Sequence, residues 1–438
     1  MEPWNNLDDL KTCPDRGDFA VRGQICQSAG PDRLECVENG FVPVVDGKAR
    51  GVFRELPERF VGLPVTDFGD RLVIPGMSDL HLHASQFAFR GLGMDMELLD
   101  WLNTYTFPEE AKFRDLGYAE RAYGGFVEAL RRSPTTRAAI FATIHPAATL
   151  LLMERLEASG LRTRVGKVNM DRNCAEVVRE ADPETALRET EEWVLTARDR
   201  FARTEPILTP RFVPTCSDAL MAGLGRLREK YDLPVQSHLS ENLGEIAWVR
   251  ELSPASRFYG DAYARFGLFG GDHPCVMAHC VHSGEAELEL MKENGVFIGH
   301  SSESNMNLAS GVAPVSRYLE LGLRAGLATD VAGGSHESMF RAVAHAIQAS
   351  KLRWRLQDQS VKPLTFAQAF YLATAGGGAF FGKVGRFEEG YEFDALVLDD
   401  ENLFHPQPLD IQSRLERAVY LADDRHIFAK FVAGERLF

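Results

Sequence analysis

The stretch Pro75–Gln86, PGMSDLHLHASQ, decides how the rest of this chain is read. His81 and His83 are separated by one residue, so on a β-strand both imidazoles face the same side and can present two nitrogens to one metal. Asp79 shares their parity while Leu80 and Leu82 take the other, which predicts one wet or metal-lined face. A His-x-His pair alone is equally compatible with two ordinary polar histidines. The weight therefore falls on the residues farther along the chain.

From Pro75 to about residue 380, apolar strand-like runs alternate with charged helical stretches. After SDLHLH (78–83) come AAIFATIH (138–145), RTRVGKVNM (162–170), ILTPRFVP (207–214), PVQSHLSE (234–241), PCVMAHCVH (274–282), GVFIGHSS (295–302) and RAGLATD (324–330). Helices such as 183–203 and 285–295 lie between them. Eight such strands are the number that closes a parallel barrel, and the prediction is an α/β fold with a distorted (β/α)8 TIM-like barrel over 76–380. An open doubly wound sheet would alternate similarly, but no G-x-G-x-x-G follows a strand to support a nucleotide site.

The flanks have another texture. FAVRGQICQ (19–27), GFVPVV (40–45) and RLVIPG (71–76), broken by Gly, Pro and Asp, predict a small antiparallel unit. Strand-like runs return in YEFDALVLDD (391–400) and HIFAKFVAGERLF (426–438). A small β-sandwich domain built from both chain ends, 1–75 plus 381–438, is the expectation, and the length of 438 residues suits two such parts.

Composition excludes several classes. A formal charge of −15, with 48 basic against 63 acidic residues and no basic run, argues against holding a nucleic acid polymer. The N-terminal MEPWNNLDDLK lacks the pattern of a signal peptide, and no apolar run of 18 residues predicts a membrane span, so a cytoplasmic location is expected. Seven irregularly spaced cysteines without a C-x-x-C pair indicate neither a disulfide framework nor a four-cysteine zinc site.

Further polar residues recur where barrel strands would give way to loops, the end that carries the site in such barrels. His238 offers a third nitrogen ligand, and Glu241, three residues on, is either a substrate-facing carboxylate or a first-turn residue of the next helix. His279 ends CVMAHCVH, and Asp330, ending LATD, can complete a metal sphere or take a proton from a metal-activated water. Three imidazoles and a carboxylate suit Zn2+, one ion per chain, with Fe2+ or another divalent ion as alternatives. Lys167 is expected to form an ion pair with a barrel carboxylate, while Cys280, His282 and His300 remain ambiguous near-site residues.

PGMSDLHLH with His238, His279 and Asp330 resembles the amidohydrolase superfamily. HASQFAFRG (83–91), WLNTYTFPEEAKF (101–113), LTPRFVPTCS (208–217), QSHLSEN (236–242) and TDVAGG (329–334) resemble its guanine deaminase branch, over most of the chain. The resemblance implies His81, His83, His238 and Asp330 as metal ligands, Gln86, Arg211, Phe212 and His238 around the substrate, and Glu241, His279 and Asp330 in catalysis. It further implies hydrolytic deamination of guanine to xanthine and ammonia, and a homodimer. A related enzyme acting on a pterin, 8-oxoguanine, cytosine or a triazine is the alternative, followed by a non-catalytic scaffold with a degenerate site. In GHSSESNMNLASG (299–311), Ser301–Ser304 departs from the commoner Cys-Pro form, which bears on substrate range.

Overall fold

The computed structural model describes residues 17–438, so Cys13 and the rest of the N-terminal stretch lie outside the described residues. Strands β1 (Phe19–Gly30), β2 (Arg33–Val45), β3 (Lys48–Ala49) and β4 (Val65–Pro75) open the chain. β1 and β2 form a long antiparallel hairpin, but β1 and β4 run parallel, because residues 50–64 cross over instead of turning back. The expected all-antiparallel unit is thus corrected to a mixed one.

Ten further strands follow: β5 (Met77–His83), β6 (Thr135–Phe141), β7 (Arg162–Gly166), β8 (Val168–Asn169), β9 (Thr204–Pro206), β10 (Thr209–Pro210), β11 (Val235–Leu239), β12 (Cys275–His279), β13 (Phe297–His300) and β14 (Arg324–Leu327). They form two parallel arcs, β5-β6-β7-β9 and β11-β12-β13-β14, with β8 and β10 prolonging the third and fourth strand positions. The arcs join through a parallel bridge between Leu208 and Val235. At the opposite seam the His83 amide donates to the Val331 carbonyl at 2.9 Å and the Asp330 amide to the His81 carbonyl at 2.8 Å. All eight predicted strand positions are therefore used, and the circle is closed by two backbone hydrogen bonds at each of its two seams. Leu80, Ala139, Ile207, Val276, Phe297 and Phe380 fill its interior as one apolar layer.

The face assigned to Leu80 and Leu82 needs correction. Pairing of β5 with β6 slips between Asp79 and Leu82, a bulge that inserts one residue. Leu80 consequently joins the inner layer, while Leu82 joins the main core outside it.

After the barrel, β15 (Ala395–Leu398), β16 (Ile427–Val432) and β17 (Glu435–Arg436) return to the first strands in a single sheet of order β17-β16-β15-β4-β1-β2-β3. In a flat sheet Phe19 on β1 and Phe431 on β16, three strand spacings apart, would be separated by roughly 14 Å. Their ring centroids lie 5.8 Å apart, so the sheet curls over its own core of Phe19, Val44, Phe68, Phe393 and Phe431. The sandwich-like core of the chain ends is built by one folded sheet.

Buried charges fasten this sheet to the barrel. Arg137 of β6 donates to Asp394 at 2.7 and 2.8 Å and to Glu392 at 2.6 Å. Lys430 of β16 donates to the carbonyls of Arg131 and Ser133, both at 2.9 Å, at the end of helix Leu116–Arg132, where the last carbonyls lack helical partners, and burial pushes its amine well below the ordinary lysine range. Among the described residues, no helix is long and apolar enough to cross a membrane. Asp394→Ala leaves the buried Arg137 guanidinium with only the partly exposed Glu392, and we expect a loss of about 2–3 kcal/mol, below the roughly 3–5 kcal/mol of a fully unpaired buried charge, read as a lowered denaturant midpoint.

Candidate active site

The polar residues of the strand ends meet on one side of the barrel. His81 and His83 turn their Nε2 atoms toward each other at 3.2 Å, and Asp330 Oδ1 lies 3.1 Å from the first and 3.4 Å from the second. The His238 ring centroid is 4.7 Å from that of His81 and 5.3 Å from that of His83. Ligand atoms of His81, His83 and His238 fall within 4.8 Å of one another, as do those of His81, His279 and Asp330.

Protonation fits a cation. Burial pushes His81 down, His83 down to about 3 and His238 far below the ordinary imidazole range. Burial opposes ionisation of Asp330, yet His81, followed by His83 and His279, holds its carboxyl well below the usual range. Neutral imidazoles around an ionised carboxylate are the form that ligates a metal. His238 Nδ1–H donates to the Arg211 carbonyl at 2.6 Å, which leaves its Nε2 lone pair for the cluster. With ring nitrogens and a carboxylate oxygen converging, the two nearest nitrogens 3.2 Å apart, the donor set fits a divalent ion.

The backbone is bent to aim these groups. Ser240, His279, Cys280 and Asp330 all adopt positive φ, between 47° and 72°, a conformation non-glycine residues avoid. Four such residues at the ends of three strand positions mark stored strain where side chains must be directed. Asp79 ties the first strand position to the last, accepting from the His81 amide at 3.3 Å and the Thr329 amide at 3.1 Å. Burial raises Asp79 to about 6.

Glu241 is not a helix cap. Asn242 caps helix Leu243–Leu252, with Glu245 closing the capping box, and Glu241 turns into the cavity instead. Its Oε1 accepts from Ser310 Oγ at 2.9 Å and its Oε2 lies 3.4 Å from His279 Nε2. Burial, then the Asp330 charge, raises Glu241 to about 8. His279 in turn donates from Nδ1 to Asn305 Oδ1 at 2.8 Å, directing Nε2 toward Glu241 and toward Asp330 Oδ2 at 3.7 Å. The loop after β13 thus supports Glu241 through Ser310 and His279 through Asn305.

Gln86, on the short 3-10 helix Ala84–Phe89, and Arg211, just past β10, line the same cavity with Phe212. Phe212 is edge-on to Trp248, at 6.3 Å between ring centroids. Leu98, Trp101 and Leu102 close the opposite wall from a helical run, Leu98–Arg114, that contains a wide π turn at Leu102–Thr106. The free space is about 30 Å³, room for roughly one or two waters.

All the predicted site residues come together here. Lys167 forms its expected ion pair, with Glu180, which lies on the loop after the third strand position. His282 Nε2 bonds the Ser310 carbonyl at 2.8 Å, Cys280 Sγ contacts the carbonyls of its own strand, and His300 is buried and pushed down to about 4. Sequence reasoning missed Glu110, Glu245, Asn305 and Ser310. Glu110 sits in WLNTYTFPEEAKF, a stretch that carries part of the resemblance but whose pattern gives its carboxylates no role.

Comparison with known proteins places this geometry. The Amidohydrolase family model matches residues 72–437. The guanine deaminase of Dictyostelium discoideum is 37% identical over 387 residues, covering 85% of this chain and 84% of its own, and that of Mus musculus is 38% identical over 376 residues, covering 83% and 82%. The crystal structure of guanine deaminase from C. acetobutylicum with bound guanine in its active site superposes with a TM-score of 0.93 at 48% identity, covering 96% of this chain and 100% of the other. If the His/Asp cluster holds metal, His81→Ala weakens binding by at least roughly 100-fold, checked by metal titration of the stripped protein.

Proposed function

The chain belongs to the amidohydrolase family, and on that premise we infer that it hydrolyses guanine to xanthine and ammonia. The observation that carries this is the placing of two donor side chains, Gln86 and Arg211, on the cavity that also holds Glu241 and the His/Asp cluster. A flat ring edged with acceptors can be held by the first pair while its amine-bearing carbon meets the second group.

His81, His83, His238 and Asp330 would hold one Zn2+, or another divalent ion. Such an ion supplies Lewis-acid chemistry, lowering the pKa of a bound water toward neutrality. The remaining steps belong to side chains. Asp330, kept ionised by its histidine neighbours, takes a proton from the attacking water. Glu241, raised to about 8, is neutral at pH 7 and donates its proton to N3 of guanine, next to the carbon under attack at C2. His279, whose Nδ1–H is held by Asn305, turns its Nε2 lone pair toward the attacking water and orients it. Asp330 returns its proton to the C2 amine and ammonia departs, while the second proton of the former water leaves the C2 oxygen for Glu241, so that a ring C=O replaces the C–N bond and Glu241 is restored. Phe212 shapes one side of the ring site, and His238 borders it as well as the metal.

The same proposal includes a composite domain of 1–75 plus 381–438 beside a catalytic barrel of 76–380, a homodimer, and a cytoplasmic location. The domain division is supported by the sheet that joins both chain ends, and the homodimer by the resemblance.

Glu241→Gln keeps the shape but cannot supply the proton, so kcat falls by roughly 10²–10⁴ while bound metal is unchanged. The donor must be protonated, so wild-type kcat/KM is full below pH 8 and declines as pH rises through about 8. Pre-steady-state and steady-state assays of xanthine formation across pH 6–10 check both, and an active Glu241→Gln protein rejects the assigned role.

A further inference from the structure

Glu110 is 2% exposed at the end of helix Phe107–Glu110, and no step of the guanine reaction uses it. Its Oε1 accepts from Gln86 Nε2 at 3.1 Å, and its Oε2 accepts from Arg211 Nη1 at 2.6 Å. One carboxylate thus joins two cavity residues carried by different strand positions.

This contact fixes which way Gln86 faces. A carboxylate paired with a guanidinium only accepts, so the end of Gln86 that meets it is the amino end. The other end gives the same answer independently, because the Ala332 amide, which only donates, reaches Gln86 Oε1 at 3.2 Å. A flipped amide would set oxygen against oxygen and N–H against N–H. Locked in this way, Gln86 has its carbonyl engaged by the backbone and one N–H left to give. Arg211 has only donors to give. The wall they form therefore presents N–H groups to the cavity, while the Gln86 carbonyl is turned to the backbone.

Donor-only recognition has a chemical consequence. A glutamine free to use both ends reads the edge of a 6-aminopurine, accepting from the amine and donating to N7. A pair of donors instead reads a 6-oxo group and N7, the two acceptors on that edge of guanine. We propose that Glu110 is a positioning residue that sets purine specificity: by holding the amino end of Gln86 forward and anchoring Arg211, it selects a 6-oxo ring over a 6-amino ring. Glu110 acts through these two side chains. The proposal rests on the guanine reaction.

Guanine and 2,6-diaminopurine carry the same amine at C2 and differ at C6 and in the proton on N1, and hydrolysis at C2 gives xanthine from one and isoguanine from the other, with ammonia from both. Wild-type protein with its metal bound should prefer guanine by roughly 10-fold or more in kcat/KM. In Glu110→Gln, Arg211 holds the amide oxygen at position 110 and turns its NH2 toward Gln86, so only the Ala332 amide still opposes a flip, and the preference should shrink at least about 5-fold, mainly through KM for guanine. Glu110→Asp, still an acceptor only, should retain the preference at a lower rate. Equal loss on both substrates with the ratio unchanged makes Glu110 a folding residue and overturns the proposal, while the guanine reaction stands. A metal-loaded wild type that forms xanthine from no guanine overturns both. If Glu110→Gln does not fold, wild-type inhibition decides: hypoxanthine should inhibit guanine turnover well below the concentration at which adenine does, and equal inhibition overturns the proposal.

Discussion

The arrangement turns on the placing of an ionised carboxylate, Asp330, against imidazoles buried so deeply that they stay neutral. A buried anion among lone pairs is costly unless a cation joins it. The barrel accepts that cost by closing its first and last strand positions around the cluster. The Asp330 amide is bonded to the carbonyl of His81, and Asp79 holds both the His81 and Thr329 amides. The ligands are consequently fixed by the same hydrogen bonds that close the barrel.

A layer of supporting residues turns a metal-binding cluster into a site with direction. Asn305 determines which nitrogen of His279 faces inward, and Ser310 holds Glu241 near it. Tyr259 donates to Glu245 at 2.6 Å, and Glu245 accepts from the Glu241 amide at 3.1 Å, fixing the backbone that presents Glu241. Burial, then the Glu241 charge, raises Glu245 to about 7, so two neighbouring carboxyls share a dry environment and favour the protonated form. On the far wall, the run Leu98–Arg114 carries both the apolar groups that narrow the cavity and Glu110, which orders the polar ones.

Much of this was legible in the sequence. The eight barrel strands and the residues His81, His83, His238, His279 and Asp330 could be read because strand ends in a parallel barrel converge, so short motifs far apart in sequence share one location. The bulge in β5 could not be read, since alternation over 78–83 looks regular and the slip arises only in pairing with β6. The parallel pairing of β1 with β4 was hidden for a similar reason, as the crossover at 50–64 has no distinctive pattern. Glu110, Asn305 and Ser310 act through contacts 24, 26 and 69 residues away in sequence, a distance at which residue type alone says nothing about partners. Glu241 was ambiguous between cap and site until Asn242 and Glu245 took the cap.

The most direct test of the central claim is to strip the protein of metal and return Zn2+ in steps, following bound ion and xanthine formation from guanine together. Activity should be absent at the start and rise in proportion to bound metal, reaching its plateau at one ion per chain. Full turnover by the stripped protein, or a plateau unrelated to metal content, would contradict it.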